Sequence, residues 1–282
     1  MNNKQDIFFM GGFPRAGSTL LMNILNQNPK FHGTATSGLI TSILNIKENW
    51  KQNENYLSND EEFIYNKIKT MMNGTLHGFY QDEFDNNIIP IDKNRAWVGN
   101  LDLLDELFGT KVKFIYPIRH IIDCMVSFEK MNRKSSIIKS PSKPQELTTI
   151  GRAEVMLAED GIMGLPITYL REILYRKDYD RLILVPFDDL LNYPVPTMKR
   201  LYHQMEIEYF EHDLDDVKQS IYERDIHHGY APNSLHKIKE GKLLPPNPRD
   251  LTIYDEEFIK KIETDLFKDI TDFINTNTNN TK

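Results

Sequence analysis

The sequence predicts an α/β fold with a central, mainly parallel sheet flanked by helices, and three observations predict it. Short apolar runs alternate with longer stretches that carry apolar residues at three- and four-residue spacing, the alternation of strand and helix that a parallel sheet requires. The first run, IFFM from Ile7, passes straight into a glycine-containing loop, GGFPRAGSTLL, and then into the helix-like LLMNIL. At 282 residues and 40% hydrophobic composition the chain can bury a sizeable core near the upper size of one domain. A single domain is therefore expected over 1–282, ordered from about residue 7 to 274, with a polar tail over 275–282.

Each element follows in order. Ile7–Gly12 reads as a strand and Gly17–Asn28 as a helix, with FHGTATSGL from Phe31 as the loop after it. Ser37–Lys51 and Asp60–Tyr80 read as helices, Ile88–Ile91 as a strand and Leu101–Phe108 as a helix. Val112–Pro117 is the next strand and Ile121–Met131 the next helix, followed by an exposed Lys-, Ser- and Pro-containing stretch, Asn132–Pro144, that is either a lid or a connection. A long helical region lies in Arg152–Arg176, where Pro166 is expected to kink or divide it. Arg181–Pro186 is the last strand, Thr197–Met205 a helix, Ile226–Pro248 irregular, and Tyr254–Ile274 helical again.

The formal charge of -7 argues against nucleic acid as a partner, because such binding draws on Lys and Arg meeting phosphates. Any anion site must be local. One cysteine, Cys124, allows no internal disulfide, which fits a reducing, cytoplasmic location. The apolar run from Ile7 is too short for a signal-peptide core, and no stretch approaches the ~20 apolar residues of a membrane span.

The loop carries the chemistry. Gly12 and Gly17 have the spacing of a phosphate-binding loop, but Ser18 stands where such a loop that holds ATP puts its lysine. A strand, a glycine turn and a helix start present free backbone N–H groups and the positive end of a helix dipole to an anion. Gly17 permits close approach, Ser18 and Thr19 add hydroxyl donors, and Arg15 supplies a planar charged fork suited to tetrahedral oxyanions. The plain alternative is a strand-to-helix turn with no ligand. In VKFIYPIRHIIDCMVSF a second strand delivers Arg119 at its C-terminal edge, with Ser127 on the helix that follows. Ligands of parallel sheets bind outside the carboxyl ends of strands, so Arg119 and the loop should face one crevice, unless Arg119 only caps a helix or pairs with Asp123.

Taken together, PRAGSTLL and the Arg119-to-Ser127 spacing resemble the two cofactor motifs of the sulfotransferase family that uses 3′-phosphoadenosine 5′-phosphosulfate (PAPS), in its bacterial type and, distantly, its tyrosylprotein branch. The resemblance implies a three-layer fold like that of P-loop-containing nucleoside triphosphate hydrolases, PAPS as co-substrate, and no metal. It assigns the 5′-phosphosulfate to Pro14, Arg15, Ala16, Gly17, Ser18, Thr19 and Leu20, and the 3′-phosphate to Arg119 and Ser127. VPFDDLLNYP from Val185 is similar to the family's V-x-Y-E-D-L-x-x-x-P segment, with Phe187 in place of the Tyr. IDKNRAW from Ile91 looks like the segment that sets a charged residue, here Lys93, beside the transferred group. SLHKIKEGK from Ser234 is similar to the late segment that closes over the cofactor, and it brings His236 and Lys237.

Sulfuryl transfer asks a protein to position an in-line nucleophile and to stabilise charge on the departing oxygens, roles that fall to Arg15, the loop amides and Lys93. The plain alternative for Lys93 is a solvated surface lysine. The acceptor also needs a general base. The family's Glu is absent from FHGTATSGL, and its His is replaced by Asn94 and Arg95, so three candidates stand: Asp92, slightly favoured for its strand edge, His32 and His236. The acceptor is a small-molecule, carbohydrate, lipid or peptide hydroxyl. His203, His212, His227 and His228 lack zinc-site spacing, and Cys124 within a helix reads as a packed thiol. Two rival readings stand beside this one: a P-loop kinase or NTPase using ATP and Mg²⁺ held by Asp188 or Asp189, and a non-catalytic anion- or glycan-binding protein on the same fold.

Overall fold

The computed structural model describes residues 6–134, 144–228, 230 and 235–278. Five strands, β1 (Phe8–Met10), β2 (Phe31–Thr36), β3 (Ile89–Lys93), β4 (Phe114–Ile118) and β5 (Leu182–Pro186), form one sheet in the order β2-β3-β1-β4-β5. Every pairing is parallel, with Met10 opposite Lys93 on one side and Ile115 on the other. The chain builds outward from β1 on one side, returns, and then crosses to β4 and β5. That reversal opens a crevice at the carboxyl end of β1, between β3 and β4.

Side chains of a strand alternate between faces, so the sheet has two cores. Phe9, Phe114 and Tyr116 belong to one, and Phe8, Met10, Ile91, Ile115 and Ile183 to the other. The first core is covered by α2 (Leu39–Asn49), α3 (Glu61–Phe79), α4 (Leu101–Phe108), α5 (Ile121–Lys134), α6 (Thr149–Leu157) and α7 (Gly164–Arg176). The second is covered by α1 (Ser18–Leu25), α8 (Phe187–Asn192) and α9 (Pro194–Met205). Two late helices, α10 (Glu256–Lys260) and α11 (Lys268–Thr278), close the first layer. The α3 helix illustrates why these segments are helical. Asp60 accepts a hydrogen bond from the Phe63 amide at 2.8 Å, and Ile64, Ile68, Met72 and Leu76 bury one stripe at four-residue spacing.

The structure departs from the sequence expectations at several points. FHGTAT is the edge strand β2 rather than a loop, paired to β3 with Phe31 opposite Ile89 and an irregularity between Gly33 and Thr36. Only alternate residues of it are buried, so its polar side faces outward, and the apolar signal of a central strand is missing. β3 runs two residues past Ile91, which places Asp92 and Lys93 on the strand itself. The region Arg152–Arg176 divides over 158–163 and not at Pro166, which lies in the first turn of α7, where its missing N–H goes unneeded. The last helical stretch is interrupted by a π-turn at Lys261–Leu266. α11 then reaches Thr278, four residues into the expected tail, with Thr276, Asn277 and Thr278 each donating to the carbonyl four residues back. Residues 135–143 of the expected lid or connection lie outside the described residues. Among those described, no helix is long and apolar enough to cross a membrane.

His212 gives the fold a pH signature. It is 7% exposed among the rings of Tyr202, Tyr209 and Phe210, and burial pushes its pKa down to about 4. The unfolded chain therefore takes up a proton that the folded chain refuses. Stability should be intact above pH 6.5 and decline as pH falls toward 4, by up to about 3 kcal/mol from this group alone. Urea midpoints measured across that range should flatten in His212→Phe, and an unchanged slope would show that the acid sensitivity lies elsewhere.

Candidate active site

The crevice at the carboxyl ends of β1, β3 and β4 is a cleft of about 1150 Å³. That volume exceeds what a single drug-sized ligand fills, typically about 300–1,000 Å³. Among the described residues that line it, nine are Lys or Arg and three are Asp or Glu, so a chain of net charge -7 concentrates positive charge here.

Its floor is the loop between β1 and α1. The backbone turns through left-handed conformations at Gly12 (φ 90°), Arg15 (φ 64°) and Gly17 (φ 85°). A Cβ on Gly17 would stand 2.5 Å from the Phe187 ring, so glycine is required both by φ and by space. Arg15 tolerates this region only at a cost of about 1–2 kcal/mol, the kind of strain that gathers at ligand sites. The amides of Gly17, Ser18, Thr19 and Leu20 donate to no protein group among the described residues, and α1 has no side-chain cap. Four backbone donors and a helix N-terminus are thus left open to an anion.

Two guanidinium groups lie beside this floor. Arg15 donates through Nε to Ser127 Oγ at 3.1 Å and through its other arm to the Leu235 carbonyl. Burial pushes its pKa down, partly countered by Cys124, and the neighbouring Arg119 adds to the downward push. Arg119 lies 4.4 Å from the centre of the Phe187 ring and reaches the Arg15 carbonyl at 3.5 Å, while its buried Nε has no hydrogen-bond partner among the described residues. Phe187 therefore serves as the platform for Arg119 and as the wall against Gly17. A bound anion would stabilise two like charges and an unspent buried donor together.

The far wall is a buried chain of charges. Lys93, at the end of β3, reaches Glu223 Oε2 at 3.3 Å, and their side chains are 9% and 10% exposed. The same oxygen lies 3.4 Å from His236 Nε2 and 3.4 Å from the Thr36 amide at the end of β2. Behind them, Asp225 Oδ1 accepts from His236 Nδ1 at 2.7 Å. Burial pushes the pKa of Lys93 down, with Glu223 acting against it. Burial also lowers that of His236, with Asp225 raising it and Lys93 lowering it further.

Of the residues singled out in sequence, Pro14, Arg15, Gly17, Ser18, Thr19, Leu20, Lys93, Arg119, Ser127, His236 and Lys237 line this cleft. Ala16 is buried beneath the loop. Asp92 is turned away. It neighbours Lys93 on a strand, so the two point to opposite faces, and its oxygens accept from Tyr80 and Trp97 at 2.7 Å each within the core. Burial raises its pKa, with those hydrogen bonds acting against the rise. His32 points out from β2 to Glu83 and stands outside the cleft. Asp188 and Asp189 also lie outside its lining. Cys124 is fully buried, its thiol pushed up to about 12, as a packed side chain. Sequence reasoning missed Glu223 and Asp225. They sit in SIYERDIHHGY, where no periodicity marks them and only the fold brings them against His236.

No curated protein matches the chain. Among solved structures, the sulfotransferase domain from the curacin biosynthetic pathway is 16% identical, with a TM-score of 0.48 and 98% of each chain covered. The sulfotransferase domain from the Synechococcus PCC 7002 olefin synthase is 15% identical, with a TM-score of 0.48, covering 90% of this chain and 92% of that one. The model of the sulfotransferase family matches residues 7–211, from β1 through α9, and stops before Glu223 and His236. That match, over well more than half of 282 residues, places the protein: the chain belongs to the sulfotransferase family.

Proposed function

We propose that the protein transfers a sulfuryl group from PAPS to a hydroxyl acceptor, with the donor in the loop of β1 and His236 as general base. The observation that carries this reading is the anion cradle: four open loop amides, Arg15 with Ser127 on its Nε, and beside Arg15 a second guanidinium, Arg119, whose buried Nε has no hydrogen-bond partner among the described residues. Its residues fit the two charged ends of the donor, the 5′-phosphosulfate at the loop and the 3′-phosphate at Arg119 and Ser127. Lys237, exposed on the cleft rim, adds charge where the nucleotide would be covered.

When bound, the donor supplies a sulfuryl group whose S–O bond to the phosphate breaks as the acceptor oxygen bonds to sulfur. Lys93 and Arg15 stabilise the charge that develops on the leaving and equatorial oxygens. His236, whose Nδ1 is held by Asp225 and whose Nε2 lies 3.4 Å from Glu223 Oε2, takes the acceptor's proton. His236 replaces Asp92 in this role because Asp92 faces the core, and it replaces His32 because His32 faces outward. The kinase rival is set aside by the family assignment.

Calorimetric titration tests the donor. The protein should bind 3′,5′-adenosine bisphosphate without metal and in preference to ATP with Mg²⁺, and Arg119→Ala should weaken that binding by about 10- to 100-fold, as loss of a charge-assisted contact requires. Preference for ATP with Mg²⁺ would overturn the reading. Bound donor that never turns over would favour a binding protein instead.

A further inference from the structure

We propose that Arg95 sets acceptor specificity: its guanidinium receives a carboxylate carried by the acceptor, so that the substrate class is a hydroxy acid rather than a neutral alcohol. The proposal rests on the transfer reading above. Arg95 follows β3 and opens the single turn Arg95–Trp97, which is anchored at both ends. Asn94 Oδ1 accepts from the Ala96 amide at 3.0 Å and its Nδ2 donates to the Ser37 carbonyl at 2.6 Å, while the buried Trp97 donates through Nε1 to Asp92 at 2.7 Å. A guanidinium on so fixed a turn is held at one place on the cleft wall.

The other charges of that wall are engaged with one another. Glu223 meets Lys93, His236 and the Thr36 amide, and Asp225 meets His236 and the Leu235 amide. Glu223 and Tyr169 act on Arg95 through space, but its guanidinium makes no hydrogen bond and no ion pair among the described residues. Water reaches it, yet the cleft encloses it enough that burial pushes its pKa down, with Glu223 and Tyr169 acting against the shift. Arginine keeps its charge all the same, and a cation with its full set of N–H donors unspent is completed by a planar anion that matches its fork.

Position assigns that anion to the acceptor. The donor's charged ends fall to the loop after β1 and to Arg119 after β4, whereas β3 lies on the other side of β1. Arg95 therefore stands with Lys93 and His236, where the hydroxyl enters. Ile162 and Ile226, both exposed, line the same cleft and offer an apolar surface to the body of such an acid.

Matched acceptors test this: 4-hydroxyphenylpropanoate and 3-hydroxybutanoate, each against its neutral amide, with PAPS as donor and release of 3′,5′-adenosine bisphosphate as the readout. The wild type should prefer each acid by about 10- to 100-fold in kcat/KM, the worth of a charge-assisted contact, mostly through KM. In Arg95→Gln the preference should vanish, and Arg95→Lys, which keeps the charge without the fork, should retain part of it. A guanidinium that instead steadied the transferred group would, on substitution, lower turnover of acid and amide alike and leave their ratio intact. That outcome would overturn the proposal, as would a wild type with no preference for the acid.

A binding measurement decides the case in which neither probe is sulfated. The Arg95 Nε–H signal in nitrogen-15 spectra, assigned from Arg95→Gln, should shift saturably when either acid is added to protein saturated with 3′,5′-adenosine bisphosphate, and not when its amide is added. No shift, or the same shift from the amide, would overturn the assignment. A wild-type protein that binds no bisphosphate would instead contradict the donor reading, and the Arg95 signal would still report on the carboxylate.

Discussion

His236→Ala is expected to slow donor turnover by about 10²–10⁴-fold, the usual worth of a positioned general base, while leaving affinity for 3′,5′-adenosine bisphosphate nearly unchanged. The split follows from position. Arg15, Arg119 and the loop amides lie on the β1 and β4 side of the cleft, and His236 lies with Lys93 at the end of β3. The pH profile supplies a second readout. Burial, with Lys93 adding to it, holds the folded pKa of His236 below its usual 6.5. The neutral, proton-accepting ring therefore predominates at neutral pH, and turnover should fall only as pH drops through that lowered value. The same shift costs stability in acid, because the unfolded chain binds the proton first as pH falls below 6.5. In His236→Ala the acid limb of the turnover profile should disappear. Full turnover in the variant would sink the assignment and return the search for a base to Glu223, the other proton acceptor on that wall.

The sheet was largely legible because buried parallel strands are continuous apolar runs, and four of the five announce themselves that way. β2 was not, since an edge strand needs apolar residues only at alternate positions, and FHGTAT offers Phe31 and Gly33 before its register shifts. The donor side of the site was legible for a related reason. Loop, Arg119 and Ser127 all follow strands in the order of the chain, so local spacing is enough to find them. The acceptor side is assembled across the fold. Lys93 meets Glu223 across 130 positions of sequence, and no local pattern in SIYERDIHHGY marks a carboxylate destined for a buried lysine. Asp92 shows the converse limit. A strand edge fixes the neighbourhood, but the two-residue alternation decides which neighbour faces the cleft, and a register read one residue differently exchanges Asp92 for Lys93.

Lys93→Met is expected to slow turnover by about 10²–10³-fold through lost charge stabilisation, and to lower stability by about 3–5 kcal/mol through the ion pair it breaks. Both side chains of the Lys93–Glu223 pair are nearly excluded from water, so removing the cation takes the lysine charge from a buried carboxylate whose other neighbours include the Thr36 amide, His236 and the charge of Arg95. The His236 ring should then answer the change. Lys93 lowers its pKa and Glu223 raises it, so without the lysine the acid limb of the turnover profile should move to higher pH. Adding Glu223→Gln to Lys93→Met removes the carboxylate charge, and unfolding midpoints should recover much of the loss while turnover stays low. That divergence separates the lysine's two roles. Recovery of neither quantity would mean that the pair is not the source of the instability, and wild-type turnover from Lys93→Met would remove the lysine from the chemistry altogether, leaving Arg15 and the loop amides to carry the developing charge alone.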